Sequence, residues 1–205
     1  MVNVNDIDDD KIPEATNQSE AMMQIFVRQH ELMLRYHTIE KQNGFSSWMP
    51  QTISLDLAGH QLKLKEMAWR VTEELAEAME ANIEGNQTHF YEEVADAYHF
   101  LVELNLLSGV SPADIMREIG NYPTEIIHDD CWATVYYLGL AMNCLKNKPW
   151  KTTQMMTDKN KYRSLVIMSN LSFLRWLSKY IDYSELHAIY FKKSEVNKFR
   201  QGSNY

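Results

Sequence analysis

Residues 73–100 read EELAEAMEANIEGNQTHFYEEVADAYHF, two stretches of helical pattern joined by a polar turn. Glu73, Glu74 and Glu77 fall on the first stretch, and Glu92, Glu93 and Asp96 on the second. Glu74 and Glu77 are three residues apart, as are Glu93 and Asp96, a spacing that turns both side chains of a pair to nearly the same helix face. Like charges so placed repel by about 0.2–0.5 kcal/mol when exposed, and by more when buried. Leu75, Ala78, Val94 and Ala97 set those faces at the edge of a core. A divalent cation would relieve the repulsion, and hard oxygen donors without cysteine suit Mg²⁺, with Mn²⁺ as a substitute. One such pair is common on a solvated helix. Two of them on consecutive helices, brought together by antiparallel packing, are the signal.

The acidity is concentrated in this region. From Glu66 to Asp96 nine acidic residues stand against Arg70 alone, an excess of eight negative charges that equals the formal net charge of −8 for the whole chain. That sign disfavours nucleic acid and anionic membrane as partners. Seven Gly and five Pro leave few tight turns, and 45 % hydrophobic residues supply a core, so composition predicts helices rather than a sandwich or barrel. Cys131 and Cys144 lack CxxC spacing and read as small apolar side chains. The polar, acidic start predicts no secretory leader, and no apolar run approaches the roughly 18 residues of a membrane span. The expectation is a cytoplasmic protein.

Along the chain, residues 1–18 are expected to form a flexible arm, and residues 19–205 one all-α domain, a helical bundle. Met22, Ile25, Phe26, Leu32, Met33 and Tyr36 recur at helical spacing in a first helix. A second spans about residues 56–83, with Gly85 as its cap, and a third about 88–108. Ser111 and Pro112 open a short helix to about Ile119. A further apolar helix covers YPTEIIHDDCWATVYYLGLAMNCLK; NKPWKTTQMMTDKNK reads as an exposed linker, and YRSLVIMSNLSFLRWLSKYI as helix. The tail from about residue 188 begins helically and ends irregular. Trp69 and Trp132 are expected in the core or an interface.

EELAE, fifteen residues, then EVAD resembles the EExxE…ExxD signature of the all-α nucleoside triphosphate pyrophosphatases, the group of MazG-like enzymes and dimeric dUTPases. The resemblance implies Glu74, Glu77, Glu93 and Asp96 as ligands of Mg²⁺ that grips a triphosphate. It implies Glu73 as a supporting residue or the base that orients the attacking water. DAYHFLVEL is similar to the D-x-x-H-F continuation of the dimeric dUTPase and phage dCTPase/dUTPase branch, with His99 and Phe100 in register. KKSEVNKFRQGSNY resembles that branch's terminal motif, which implies nucleotide contacts from Lys193, Asn197, Lys198, Arg200, Gln201 and Tyr205. IFVRQHELM is similar to the branch's opening motif, which implies Gln29 as the base-contacting glutamine. The branch carries a Trp- and Lys-rich turn between its acidic helices, and EGNQTHFY has neither residue.

The implied activity is Mg²⁺-dependent hydrolysis of a deoxynucleoside triphosphate, dUTP first, with dCTP or another dNTP as the alternative, by a homodimer. A triphosphate needs cations before an acidic pocket can hold it. Lys193, Lys198 and the bidentate fork of Arg200 would add positive charge from a tail closing over the substrate, and Gln29 and Asn197 offer amides to a pyrimidine edge. His99 on an apolar face also reads as a hydrogen-bonded core histidine. Two rival readings remain. A di-iron bundle would draw on Glu125 with His128 and Asp96 with His99, an incomplete ligand set. A non-catalytic acidic interaction protein explains the charge but not the paired spacing.

Overall fold

The computed structural model describes residues 4–120 and 131–202. Within them the regular elements are two 3-10 turns, Val4–Asp6 and Asp9–Lys11, and seven α-helices: α1 (Gln18–Gln42), α2 (Ala58–Ile83), α3 (Gln87–Ser108), α4 (Pro112–Ile119), α5 (Trp132–Cys144), α6 (Lys159–Leu177) and α7 (Tyr183–Gly202). The described residues contain no strand, and none of their helices is long and apolar enough to cross a membrane. The all-α expectation holds.

The polar turn quoted above forms an αα-hairpin because both of its ends are capped locally. Gly85 takes φ 72°, its N–H donates to the Asn82 carbonyl at 3.2 Å, and the Asn86 N–H donates to the Ala81 carbonyl at 2.9 Å. This is the paired bonding of a Schellman motif, in which a left-handed residue lets the chain reverse. Asn86 then accepts from the His89 N–H and opens α3. Ser111 and Asp114 make a reciprocal capping box at the start of α4, with Pro112 at its first turn.

Helix α3 is the centre of the bundle: 13 of its 22 residues are buried, so it has no solvent stripe of ordinary width. It packs against α2, α1, α7 and α6. Leu64, Ala68, Val71, Leu75 and Ala78 of α2 face it, all buried as their spacing predicts, as are Val94, Ala97, Tyr98, Leu101 and Leu104 of α3 itself. Tyr98 stacks on Phe173 of α6 with ring centroids 5.3 Å apart and an interplanar angle of 8°. Asn105 and Asn170 exchange two side-chain hydrogen bonds of 2.7 and 2.8 Å, which pins α3 to α6 with no unpaired amide between them.

Several expectations change. Tyr36, Trp69 and Trp132 are exposed rather than core residues. The presumed linker is tied down at both ends: Asn147 and Thr157 are buried, with Lys151–Met156 exposed between them. Gln61 donates to the Leu55 carbonyl (2.7 Å) and to Thr157 Oγ1 (3.3 Å), and accepts from the Asn147 N–H (2.8 Å). Asn147 donates to the carbonyls of Asp56 (2.7 Å) and Met155 (2.8 Å), and accepts from the Met155 N–H (2.7 Å). The tail does not end irregularly within the described residues, since α7 stays helical to Gly202. Of the N-terminal segment, Val4 is buried and Asp9 pairs with Lys192 at 2.6 Å.

Candidate active site

The hairpin of α2 and α3 brings Glu74, Glu77 and Glu93 together, with one carboxylate oxygen from each lying within 4.8 Å of the others. Glu77 is exposed, Glu74 half-buried and Glu93 buried, so the trio runs from solvent inward. Burial, a hydrogen bond to Glu93 and the charges of Asp96, Glu93 and Glu77 push Glu74 up to about 8. Burial also raises Glu93. Two carboxyls so placed resist joint ionisation. A hard dication relieves that repulsion, so the donor set fits Mg²⁺ or Mn²⁺.

Asp96, the fourth expected ligand, stands beside the trio with its Oδ2 2.8 Å from the Lys193 Nζ of α7. Lys193 is buried, so this pair is an interior one. Glu73, expected as a supporting residue or the base, is turned to its own helix: its oxygens accept from Trp69 Nε1 (2.7 Å) and Arg70 (3.0 Å).

Next to the carboxylates lies a cavity of about 370 Å³ between α1, α2, α3 and α7. Glu74, Asp96 and Arg70 line one part of its wall; Gln29, His99, Phe100, Glu103 and Asn197 contribute others, and Tyr36, Trp48 and Lys63 complete them. His99 is buried, its Nδ1 donates to the Ala95 carbonyl at 2.8 Å, and its ring stacks on Tyr190 at 3.9 Å. Burial pushes its pKa down to about 4, so the ring is neutral near pH 7, and Nε2 is a buried acceptor with no hydrogen-bond partner. His99 is thus a packed core histidine that also lines the cavity wall.

The structure brings the tail residues to the site only in part. Lys193 and Asn197 reach the site. Lys198 donates instead to Glu195 at 2.8 Å, and Glu195 also pairs with Arg28 at 3.1 Å. Arg200 is exposed near the end of α7, and Gln201 sits beside Tyr36 of α1. Tyr205, Glu125 and His128 lie outside the described residues.

Sequence reasoning missed Glu103, Tyr190, Lys63, Glu40 and His89 in this region. Glu103 follows Asp96 by seven positions, two helical turns on the same face, and Tyr190 precedes Lys193 by three; both offsets were readable. Lys63 precedes Arg70 by seven in the same way, and Glu40 of α1 reaches it at 3.6 Å. His89 lies four residues before Glu93 and contacts its Oε1 at 3.0 Å.

A family model described as dUTPase matches residues 74–205, a span that takes in the carboxylates, His99 and α7 but not α1 with Gln29. No curated protein and no solved structure matches the chain.

Proposed function

This chain belongs to the dUTPase family and is a dUTP diphosphatase-like hydrolase; from that premise we propose that it cleaves dUTP to dUMP and pyrophosphate with Mg²⁺ held by Glu74, Glu77, Glu93 and Asp96. The observation that carries this reading is the convergence of three carboxylates from two consecutive helices, one of which, Glu74, lines with Asp96 a cavity that also offers amide, imidazole and aromatic groups. Carboxylates outnumber the cations Lys63 and Arg70 in this wall and repel a triphosphate, and a bound Mg²⁺ would supply the charge neutralisation and water activation that the cleavage needs.

The chain's own groups divide the remaining work. Lys193 puts an ammonium beside Asp96, where it offsets phosphate charge. Asn197 and Gln29 present amides to the nucleoside, and the neutral His99 offers an acceptor at Nε2. Phe100 supplies an aromatic wall for a base. Glu73, bound by Trp69 and Arg70, supports α2 beside the carboxylates. Arg200 extends the positive charge of α7 towards solvent.

A panel of dNTPs incubated with Mg²⁺ and assayed for pyrophosphate tests the reading. Release from dUTP ahead of dCTP, dATP and dGTP is expected, and absence of release from every one of them would remove it. We also propose a homodimer, because Met23, Val27 and Leu34 leave an apolar line exposed along α1. Sedimentation as a monomer of 24.1 kDa at micromolar concentration would refute that assembly.

A further inference from the structure

We propose that Glu103 determines base specificity, its carboxylate accepting the ring N3–H of uracil beside an N–H donated by Gln29, with Tyr190 holding that glutamine in place. This inference rests on the reading of the cavity as a deoxynucleotide site.

The cavity is longer than the carboxylates need. Asp96 and Glu103 both line it, and seven residues of α-helix separate them by about 10 Å along the axis of α3. That span is comparable to a nucleotide measured from its phosphate to its base edge. With the phosphates at the Glu74–Asp96 end, the Glu103 end receives the base.

Three side chains from three helices meet there. Gln29 of α1 is buried, its Oε1 accepts from the Tyr190 hydroxyl of α7 at 2.7 Å, and its Nε2 donates to Glu103 Oε2 of α3 at 3.2 Å. Exchanging the two ends of the amide would set a carbonyl against a carboxylate, two acceptors face to face. Glu103 and Tyr190 together therefore fix which end of Gln29 points where. Tyr190 is itself clamped by its stack on His99. These contacts use one of the two Gln29 N–H groups and one of the two Glu103 oxygens. A donor and an acceptor remain side by side.

Uracil presents carbonyl, N3–H, carbonyl along its edge, so a neighbouring donor and acceptor are met in either order. Cytosine presents amino, N3, carbonyl. It meets the pair only when its amino group faces Glu103, and otherwise sets its N3 lone pair against the carboxylate. A buried polar group left facing its own kind is the strongest source of discrimination open to such a pocket. Lys63, within electrostatic reach, favours the ionised carboxylate against the cost of burial.

The experiment measures kcat and KM for dUTP and dCTP with Mg²⁺ on the full chain, the Glu103→Ala variant and the Tyr190→Phe variant. It is run at about pH 8, above the value near 7 to which burial pushes Glu103. The wild type is expected to favour dUTP. Glu103→Ala should raise KM for dUTP and lower the dUTP-to-dCTP ratio of kcat/KM by about ten-fold or more, the loss expected for a hydrogen bond to a charged group. Tyr190→Phe, which deletes one hydroxyl and keeps the ring, should move the ratio the same way by about three-fold. In both, the effect on dUTP should fall mainly on KM, with the dUTP-to-dCTP ratio as the deciding readout. A ratio unchanged in both variants, or a wild type indifferent to the base, overturns the role of Glu103 alone. A wild type that releases no pyrophosphate from any dNTP overturns the deoxynucleotide reading and this inference with it.

Discussion

Helix α2 carries two polar clusters thirteen residues apart, and they are built on opposite terms. Around Gln61 the polar side chains are matched with partners: Gln61, Asn147 and Thr157 share donors and acceptors with the backbone of residues 55–56 and 155, and Asp56 takes the Thr157 N–H at 2.8 Å and Lys159 at 3.0 Å. Around Glu74 three carboxylates crowd, relieved by a hydrogen bond between Glu74 and Glu93 and by His89 at 3.0 Å from Glu93. A satisfied buried network specifies structure, whereas a self-repelling one costs stability and persists where a ligand completes it. Changes at the two clusters should therefore separate stability from catalysis.

The largest effect is expected at the carboxylates. Glu74→Gln keeps the shape but removes a ligand charge, so pyrophosphate release should fall by about a hundred-fold or more. The melting temperature of the metal-free variant should hold or rise, because a repulsion is gone. Paired calorimetry and turnover measurements decide it, and a variant that melts early while keeping its activity would reverse the assignment of the two clusters.

Asn147→Ala probes the other side. It orphans the Asp56 and Met155 carbonyls and the Met155 N–H, a loss of about 2–4 kcal/mol in unfolding free energy. Urea denaturation should report that loss while turnover per folded molecule stays within about two-fold. A large drop in turnover without a shift of the denaturation midpoint would mean that this cluster serves the site.

The difference between the clusters also explains what the sequence discloses. The carboxylate trio was legible because its information is local: three-residue spacing within α2 and α3, and a Gly85–Asn86 turn that forces the hairpin. The Gln61 cluster joins residues 86 to 102 positions apart, and no periodicity announces that Asn147 will meet Gln61 or that Thr157 will meet Leu55. A polar segment with few large apolar groups therefore read as an exposed linker. Glu103 was passed over for a related reason, since its partners Gln29 and Tyr190 come from the two ends of the chain. Trp69 misled in the other direction: an indole promises burial, but its N–H is spent on Glu73 at the surface.

Titration sharpens the contrast with a third carboxylate. Glu74 sits at about 8 against an ordinary value of 4.5, so the folded metal-free protein binds more protons than the unfolded chain between those values and loses stability as pH rises through them. Asp114 is held down at about 2, against 3.8, by the backbone and hydroxyl of Ser111. Its contribution is complete above 3.8 and is lost as pH falls towards 2. On the proposed assignment Mg²⁺ competes with the proton at Glu74, so added Mg²⁺ should raise the melting temperature more at about pH 8 than at about pH 6. Equal shifts at both values would show that the ion binds away from this trio.

The smallest effect is expected at the turn that sets the trio's geometry. Gly85 has φ 72°, and a Cβ added there meets no atom within 4 Å, so Gly85→Ala costs only the left-handed backbone conformation, about 1 kcal/mol. Gly109, with φ 68° and a Cβ site 3.9 Å from Arg163, should cost about the same and serves as the control far from the carboxylates. If the hairpin merely connects two helices, the two variants will match in melting temperature and in turnover. If the Schellman turn holds Glu77 and Glu93 in register, Gly85→Ala alone will raise the Mg²⁺ concentration needed for half-maximal rate, at a stability equal to that of the control. We expect the second outcome: the hairpin is the only short connection between the two acidic pairs, and a shift of one residue would turn Glu93 about 100° away from its partners.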